Sequence, residues 1–225
     1  MIELKDVGMN YGGGTLLDGV SLTLPQGSFH FLTGPSGAGK TTLLKLCYLA
    51  LRPTSGAVSV FGQEAAAFDR DAVASTRRKI GVVHQDCQFL DHLPMNENIA
   101  LPLAVAGRDV SAEENNIKEL LNWTGLSHRA SAHPPELSGG ERQRAALARA
   151  VIMSPDVILA DEPTGNVDWD MSQRLLSLLL ELNRMGKTVL IATQDLALNR
   201  QAKTKGTARV LRIRDRNIEI AGAGL

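Results

Sequence analysis

The segment GPSGAGKT, Gly34 to Thr41, narrows what this chain can fold into more than any other. It satisfies G-x-x-x-x-G-K-[ST] and stands between the apolar run SFHFLTG and a helical pattern from about Gly39 to Ala50. A strand, a glycine-rich turn and a helix in that order make a phosphate cradle. The glycines let successive N–H groups turn inward, and the helix N-terminus adds its positive end. Lys40 brings a point charge for β- and γ-phosphates, and Thr41 offers a hydroxyl to Mg²⁺. Gly34, Pro35, Ser36, Gly37, Ala38, Gly39, Lys40, Thr41 and Thr42 are therefore the candidate contacts of a nucleoside triphosphate. The similar MGKT at Met185 to Thr188 has Glu181 where the leading glycine should be and precedes a strand, so it makes no second cradle.

Strands and helices alternate around this segment. IELKDV, VSLTL and SFHFLTG fill the first 34 residues with strand patterns, AVSVFG follows the helix, and a polar stretch runs to Lys79. IGVV reads as a strand, and helix-type patterning from about Asn96 to Met153 reads as a helical insertion. The last third returns to alternation: VILAD, a helix through Trp169 to Arg184, TVLIAT, a short helix, and two strand-like runs ending in RNIEI. This order predicts an α/β fold with a mostly parallel sheet and ligands at the carboxyl ends of its strands. At 225 residues the chain can form one sizeable domain, or a core with a subdomain.

The 24 basic and 24 acidic residues cancel, which argues against nucleic acid as a partner. Cys47 and Cys87 have neither a metal spacing nor a disulfide framework and read as packing thiols in a reducing compartment. No run of about 18 apolar residues occurs, and the start MIELKDVGMN has no signal-peptide pattern. The expectation is a cytoplasmic protein whose membrane role, if it has one, runs through a partner.

Two further motifs carry chemistry. VILADE, Val157 to Glu162, ends a buried strand in two carboxylates. Asp161 is suited to the Mg²⁺ shell and Glu162 to orienting a water that attacks the γ-phosphate, the alternative being a pair of solvated loop acids. LSGGERQ opens the helical segment RAALARAVIM, so Ser138, Gly139 and Gly140 form a second phosphate-binding helix start. One chain holds only one P-loop for it to serve. The pair makes sense if Ser138 to Gly140 of one copy cap the nucleotide held by the P-loop of another.

A P-loop, a glutamine-containing turn, LSGGERQ and an acidic-ended strand, in that order, resemble the ATP-binding subunit of ABC transporters over essentially the whole chain. The resemblance implies a P-loop NTPase with a RecA-like parallel-sheet core, an N-terminal antiparallel β subdomain, and an α-helical subdomain inserted at about residues 86–153 of a single domain 1–225. It also implies an ATPase that uses Mg²⁺, with Thr41, Gln85 and Asp161 around the metal. Tyr11 then resembles the aromatic that stacks on adenine, the alternative being a packing or turn residue. Gln85 resembles the glutamine that reaches the Mg²⁺ or the attacking water and senses the γ-phosphate, the alternative being an exposed loop residue. Asp168 resembles the residue that crosses to the partner copy, or else it simply caps the helix beginning near Trp169.

Gln194 stands where the family usually has histidine before Asp195, and Glu162 and Gln194 are the candidate catalytic pair. A neutral amide can donate to the γ-phosphate but cannot hold a proton, which suits a slow ATPase or, as the alternative, a nucleotide-gated dimerisation switch. TGNVD, MNENIALPLAVAG and ELNRMGKTVLIATQD are similar to the branch with the cell-division ATPases and the lipoprotein-release and macrolide-efflux ATPases, most of all to the cell-division type. That likeness implies a second copy of the chain and a four-span integral membrane subunit as partners, with the protein peripheral on the inner face of the plasma membrane. Leu93, Met95, Ile99, Leu101 and Leu103 would line the groove for that subunit, or form subdomain core. Arg77, Arg78 and Lys79, and seven basic residues between Arg200 and Arg216, would make a solvated face or meet lipid headgroups.

Overall fold

The computed structural model describes residues 1–165, 167–195 and 208–221. Its elements are β1 (Ile2–Asn10), β2 (Thr15–Leu24), β3 (Phe29–Thr33), α1 (Lys40–Cys47), β4 (Ser55–Val60), β5 (Gln63–Glu64), α2 (Arg70–Arg77) and β6 (Ile80–Val83). Then come α3 (Met95–Val105), α4 (Glu114–Trp123), α5 (Gly139–Val151), β7 (Val157–Asp161), α6 (Trp169–Arg184), β8 (Thr188–Ala192), β9 (Arg209–Arg214) and β10 (Asn217–Ala221).

The expected two-sheet architecture is present. A four-stranded antiparallel sheet runs β2-β1-β4-β5, and a six-stranded sheet runs β10-β9-β3-β8-β7-β6. In the second sheet every pairing is parallel except β9 with β10. The P-loop strand β3 lies between β8 and β9, with β7 and its carboxylates one strand further along.

Strands β3, β7 and β8 are buried on both faces, as a parallel sheet between two layers requires. Successive side chains go to opposite layers. Leu32, Val157, Leu159, Leu190 and Ala192 join the antiparallel sheet and α1 in one core. Phe31, Ile158, Ala160, Val189 and Ile191 join α6 and the middle of α5 in another. A third core, built on Met95, Ile99, Leu103, Ile117, Leu121 and Ala145, holds α3, α4 and α5 together.

Helix α5 is set hard against the edge of the central sheet. A Cβ at Gly81 of β6 would lie 2.3 Å from the carbonyl oxygen of Ala150, so only glycine allows this approach. Inside the helical layer Asn98 is fully buried and fully used. Its side chain accepts from the Leu90 amide at 2.9 Å and donates to the carbonyls of Leu90 and Leu93 at 3.0 and 2.8 Å. It therefore ties the segment before α3 to that helix, with its amide satisfied on both sides.

Several expectations are refined. The polar stretch before Lys79 contains a helix, α2, started by Asp69, whose carboxylate accepts from the Ala72 amide at 2.7 Å. Met95, Ile99 and Leu103 are core, not groove. Arg77 ends α1 by donating to the carbonyls of Tyr48 and Leu49, and Lys79 lies over the Phe61 ring, so part of this basic cluster is structural. Both cysteines are buried and unpaired, and burial pushes the Cys47 thiol up to about 12. The short helix expected after TVLIAT, and Arg200, Lys203 and Lys205 of the second basic cluster, lie outside the described residues.

Candidate functional site

The groove forms where β3, β7 and β8 end. Thr33 closes β3 by donating its hydroxyl to the Leu211 carbonyl at 3.1 Å, and the chain then turns through the glycine loop into α1. Gly37 and Gly39 have φ of 77° and 102°, a region that L side chains rarely occupy. Gly39 also touches the wall of the antiparallel sheet, since a Cβ there would come within 3.0 Å of Leu17. Two separate reasons thus require glycine at this position.

Lys40 is buried and its ammonium folds back over the loop. It donates to the carbonyls of Gly34 and Pro35 at 3.0 and 3.2 Å and lies 3.5 Å from Glu162 Oε1. The loop, the lysine and the acidic strand end are therefore one electrostatic unit.

Glu162 leaves the strand with φ of 45°, its amide still donating to the Ala192 carbonyl at 2.8 Å. This extends the β7–β8 ladder by one bond and turns the side chain into the groove. Its Oε2 accepts from the backbone amide of Gln194 at 3.1 Å. Among the described residues no hydrogen-bond donor reaches the buried Asp161 Oδ1 or Glu162 Oε1, the latter facing the Lys40 ammonium as an ion pair. Burial raises the Asp161 carboxyl above the usual carboxylate range. Glu162 raises it further, while the Thr41 hydroxyl and the Lys40 charge oppose the shift.

Among those residues Asp161 Oδ1 has no such counter-charge in contact, and a buried acceptor-only atom in that state is costly unless charge or a proton is supplied to it. A divalent cation beside Asp161 would meet that need. Among the described residues no three His, Cys, Asp or Glu side chains gather as metal ligands. A set of Thr41, Gln85 and Asp161 has a single carboxylate, as suits Mg²⁺ that keeps waters and binds phosphate oxygens.

The groove has a volume of about 730 Å³. Ser36, Gly37, Gly39, Lys40, Thr41, Thr42, Gln85, Asp161, Glu162 and Gln194 line it, so residues up to 158 positions apart in sequence are brought together. Gly34, Pro35 and Ala38 belong to the same loop without lining the groove. Tyr11 lies beside the groove, 57% exposed, with its hydroxyl 3.2 Å from Thr42 Oγ1. Leu16, Thr164, Gly165, Thr193 and Asp195 also line the groove and were not anticipated. Asp195 alone carried a signal, as the acid next to Gln194.

Ser138, Gly139 and Gly140 are not brought to this groove. Ser138 and Gly139 are exposed at the start of α5. The Ser138 hydroxyl accepts from the Glu141 amide at 3.3 Å, and Glu141 Oε2 accepts from the Ser138 amide at 2.9 Å, a reciprocal cap. Partial burial works against the Glu141 carboxylate. The Ser138 amide, the Ser138 hydroxyl bond and the Arg129 guanidinium nevertheless hold it down at about 2. Asp168 caps α6, accepting from the Met171 amide at 2.8 Å, and its side chain is exposed.

The chain matches the family model described as ABC transporter over residues 17–165, a span that holds the P-loop, Gln85, Ser138, Asp161 and Glu162 but not Gln194. The cell division ATP-binding protein FtsE of Bacillus subtilis is 40% identical over 216 residues, 96% of this chain and 93% of that protein. FtsE of Escherichia coli is 42% identical over 199 residues, 88% of this chain and 90% of its own length. The macrolide export ATP-binding/permease protein MacB of Hyphomonas neptunium is 41% identical over 97% of this chain, which spans 34% of MacB. Among solved structures, the dimeric ATP-binding cassette MJ0796 in a post-hydrolysis state with ADP and Pi has a TM-score of 0.88 at 34% identity, covering 97% of both chains. With a P-loop, an acidic strand end and a solvent-facing LSGG helix start on this fold, the chain belongs to the ABC transporter family, as an ATP-binding subunit of its ATPase cassettes.

Proposed function

We propose that two copies of this chain close on two MgATP molecules, each bound by the P-loop of one copy and capped by Ser138 to Gly140 of the other. Hydrolysis then drives a membrane partner. The observation that carries this reading is the placement of LSGG: a well-formed helix N-terminus facing solvent, away from the groove of its own chain. Thr41, Gln85 and Asp161 hold Mg²⁺, Tyr11 stacks on the adenine, and Asp168 reaches the partner copy. Bound Mg²⁺ supplies charge neutralisation at the phosphates, and Glu162 positions the attacking water. Residues 86–153 act as one helical subdomain, supported by the separate core around Met95, Ile99 and Leu103.

The similarity to FtsE supports a cell-division role, in which a four-span subunit of the FtsX type couples ATP turnover to control of peptidoglycan hydrolysis. Among the described residues no helix is long and apolar enough to cross a membrane. The chain is then cytoplasmic and peripheral, held at the inner face of the membrane by its partner. The similarity to MacB keeps an efflux or lipoprotein-release role as the second reading. Co-purification from the native cell decides between them: a four-span subunit supports the first, a larger permease the second.

Dimerisation tests the ATP-sandwich reading directly. MgATP is expected to convert monomer to dimer in light scattering, and Ser138→Arg, which fills the helix start, is expected to abolish the dimer while ATP binding to the monomer persists. An ATP-induced dimer in Ser138→Arg would overturn the reading.

Gln194 sets the rate. Its backbone amide, not its side chain, holds Glu162, so changing the side chain leaves the carboxylate in place. Gln194→His adds a titratable, charge-assisted donor at the groove. Turnover is expected to rise about tenfold to a hundredfold, the equivalent of ~1–3 kcal/mol. Phosphate release under single-turnover conditions measures it, and an unchanged rate would show that this position does not limit hydrolysis.

A further inference from the structure

Helix α5 grips the turn after Gln85 at two points. Near its start, the buried Gln143 donates from Nε2 to the carbonyl oxygen of Gln85 at 3.2 Å. Near its end, Arg149 donates from one guanidinium nitrogen to the Gln88 carbonyl at 2.8 Å and from the other to the Cys87 carbonyl. The same guanidinium lies 4.6 Å from the centroid of the Phe89 ring. The two carbonyls belong to consecutive residues other than glycine in the left-handed region, Cys87 with φ of 60° and Gln88 with φ of 47°. Such backbone is disfavoured for L residues and persists where its surroundings hold it. A planar guanidinium serves the two carbonyls from two nitrogens in a fixed fork, a spacing that the single nitrogen of an ammonium does not reproduce.

The anchor for this grip is itself fixed. The glycine-only contact between Gly81 and the Ala150 carbonyl seats the C-terminal end of α5 on the edge strand β6, one residue beyond Arg149. The opposite end of the helix carries Ser138 to Gly140. One stiff element therefore connects the solvent-facing helix start with the turn that places Gln85 in the groove.

We propose that Arg149 is a positioning residue for ATP hydrolysis: it holds Cys87 and Gln88 in their left-handed turn and so fixes Gln85, with Gln143 as the second grip. This rests on the role of Gln85 proposed above.

The test uses the full-length chain with MgATP. Arg149→Met is expected to lower kcat about tenfold or more while ATP affinity stays within about twofold, because the P-loop is untouched. Arg149→Lys keeps the charge without the fork and is expected to restore little. Adding Gln88→Gly to Arg149→Met makes a positive φ readily accessible and is expected to recover several-fold of the lost turnover. A lost packing contact would show no such recovery. In the otherwise native chain, Gln88→Ile makes the left-handed turn harder to hold and is expected to lower kcat several-fold, an arm that does not require Arg149→Met to fold. Full rescue by lysine, no recovery with Gln88→Gly, or no effect of Gln88→Ile would each overturn the proposal. Gln85→Ala is measured in parallel. If it is silent, the role of Gln85 itself falls; if it slows turnover while Arg149→Met does not, only the grip falls.

Discussion

Glu162→Gln is expected to abolish multiple turnover, lowering kcat by about 10²–10⁴-fold, with ATP binding retained. The glutamine keeps the shape of the side chain, and its amide oxygen can still accept from the Gln194 backbone amide that holds Glu162 Oε2 at 3.1 Å. It loses the proton acceptor, and it loses the charge facing Lys40 at 3.5 Å. The second loss matters for binding. In this structure the Lys40 ammonium is shared between the loop carbonyls and the Glu162 carboxylate, so it must exchange the carboxylate for phosphate oxygens when nucleotide enters. Removing the competing charge frees the lysine, and the variant is expected to bind ATP at least as tightly as the native chain and to accumulate as the closed dimer. Equilibrium binding, light scattering and phosphate release together check this. A variant that turns over at the native rate would take the water-orienting role away from Glu162.

Lys40→Ala has the opposite signature. The side chain is 6% exposed, so its removal leaves the carbonyls of Gly34 and Pro35 without their donor and Glu162 without its counter-charge. Truncating one member of a buried charge pair commonly costs about 2–5 kcal/mol, so ATP affinity is expected to fall by roughly thirtyfold to several thousandfold, with no ATP-induced dimer. Lys40→Arg is not expected to rescue it, since the site calls for a compact point charge. The two variants therefore separate binding from chemistry: one keeps ATP and stops, the other does not take it up. Titration with a fluorescent ATP analogue distinguishes them.

The parts of this site that were legible in the sequence are those held by local backbone rules. A glycine loop between an apolar strand and a helix, two carboxylates ending an apolar run, and a Ser-Gly-Gly helix start each carry their geometry in adjacent residues. What sequence could not assign was the side of a helix. The apolar spacing through Leu93, Met95, Ile99, Leu101 and Leu103 suits a core or a groove equally. The structure turns Met95, Ile99 and Leu103 inward, while Pro102 and Val105 line a separate cleft with Arg77 and Arg149. Helix α2 escaped notice because Thr76 is its only buried residue, leaving no apolar period to read. Its end signals were present: Asp69 as cap, Asp71 in the first turn and Arg77 in the last. The grip of Arg149 on Cys87 and Gln88 spans 61 to 62 residues and uses backbone carbonyls, which have no residue signature at all.

The strand order has a consequence for how the chain is made. β3 leads directly into the P-loop, yet its two neighbours are β8, which begins at Thr188, and β9, which begins at Arg209. A ribosome therefore exposes Phe29 to Thr33 long before either flanking strand exists. At about 5–20 residues per second, the interval before Thr188 is made is roughly 8–30 s. During that time both edges of an apolar strand are open to pairing with other chains. Until the last fifth of the protein has emerged, the antiparallel sheet and α1 are the native cover for one face of β3, and its edges await partners from the C-terminal end. C-terminal truncation before β8 would thus remove no P-loop residue, yet it would leave the P-loop strand unpaired, with aggregation instead of nucleotide binding as the expected fate of the fragment.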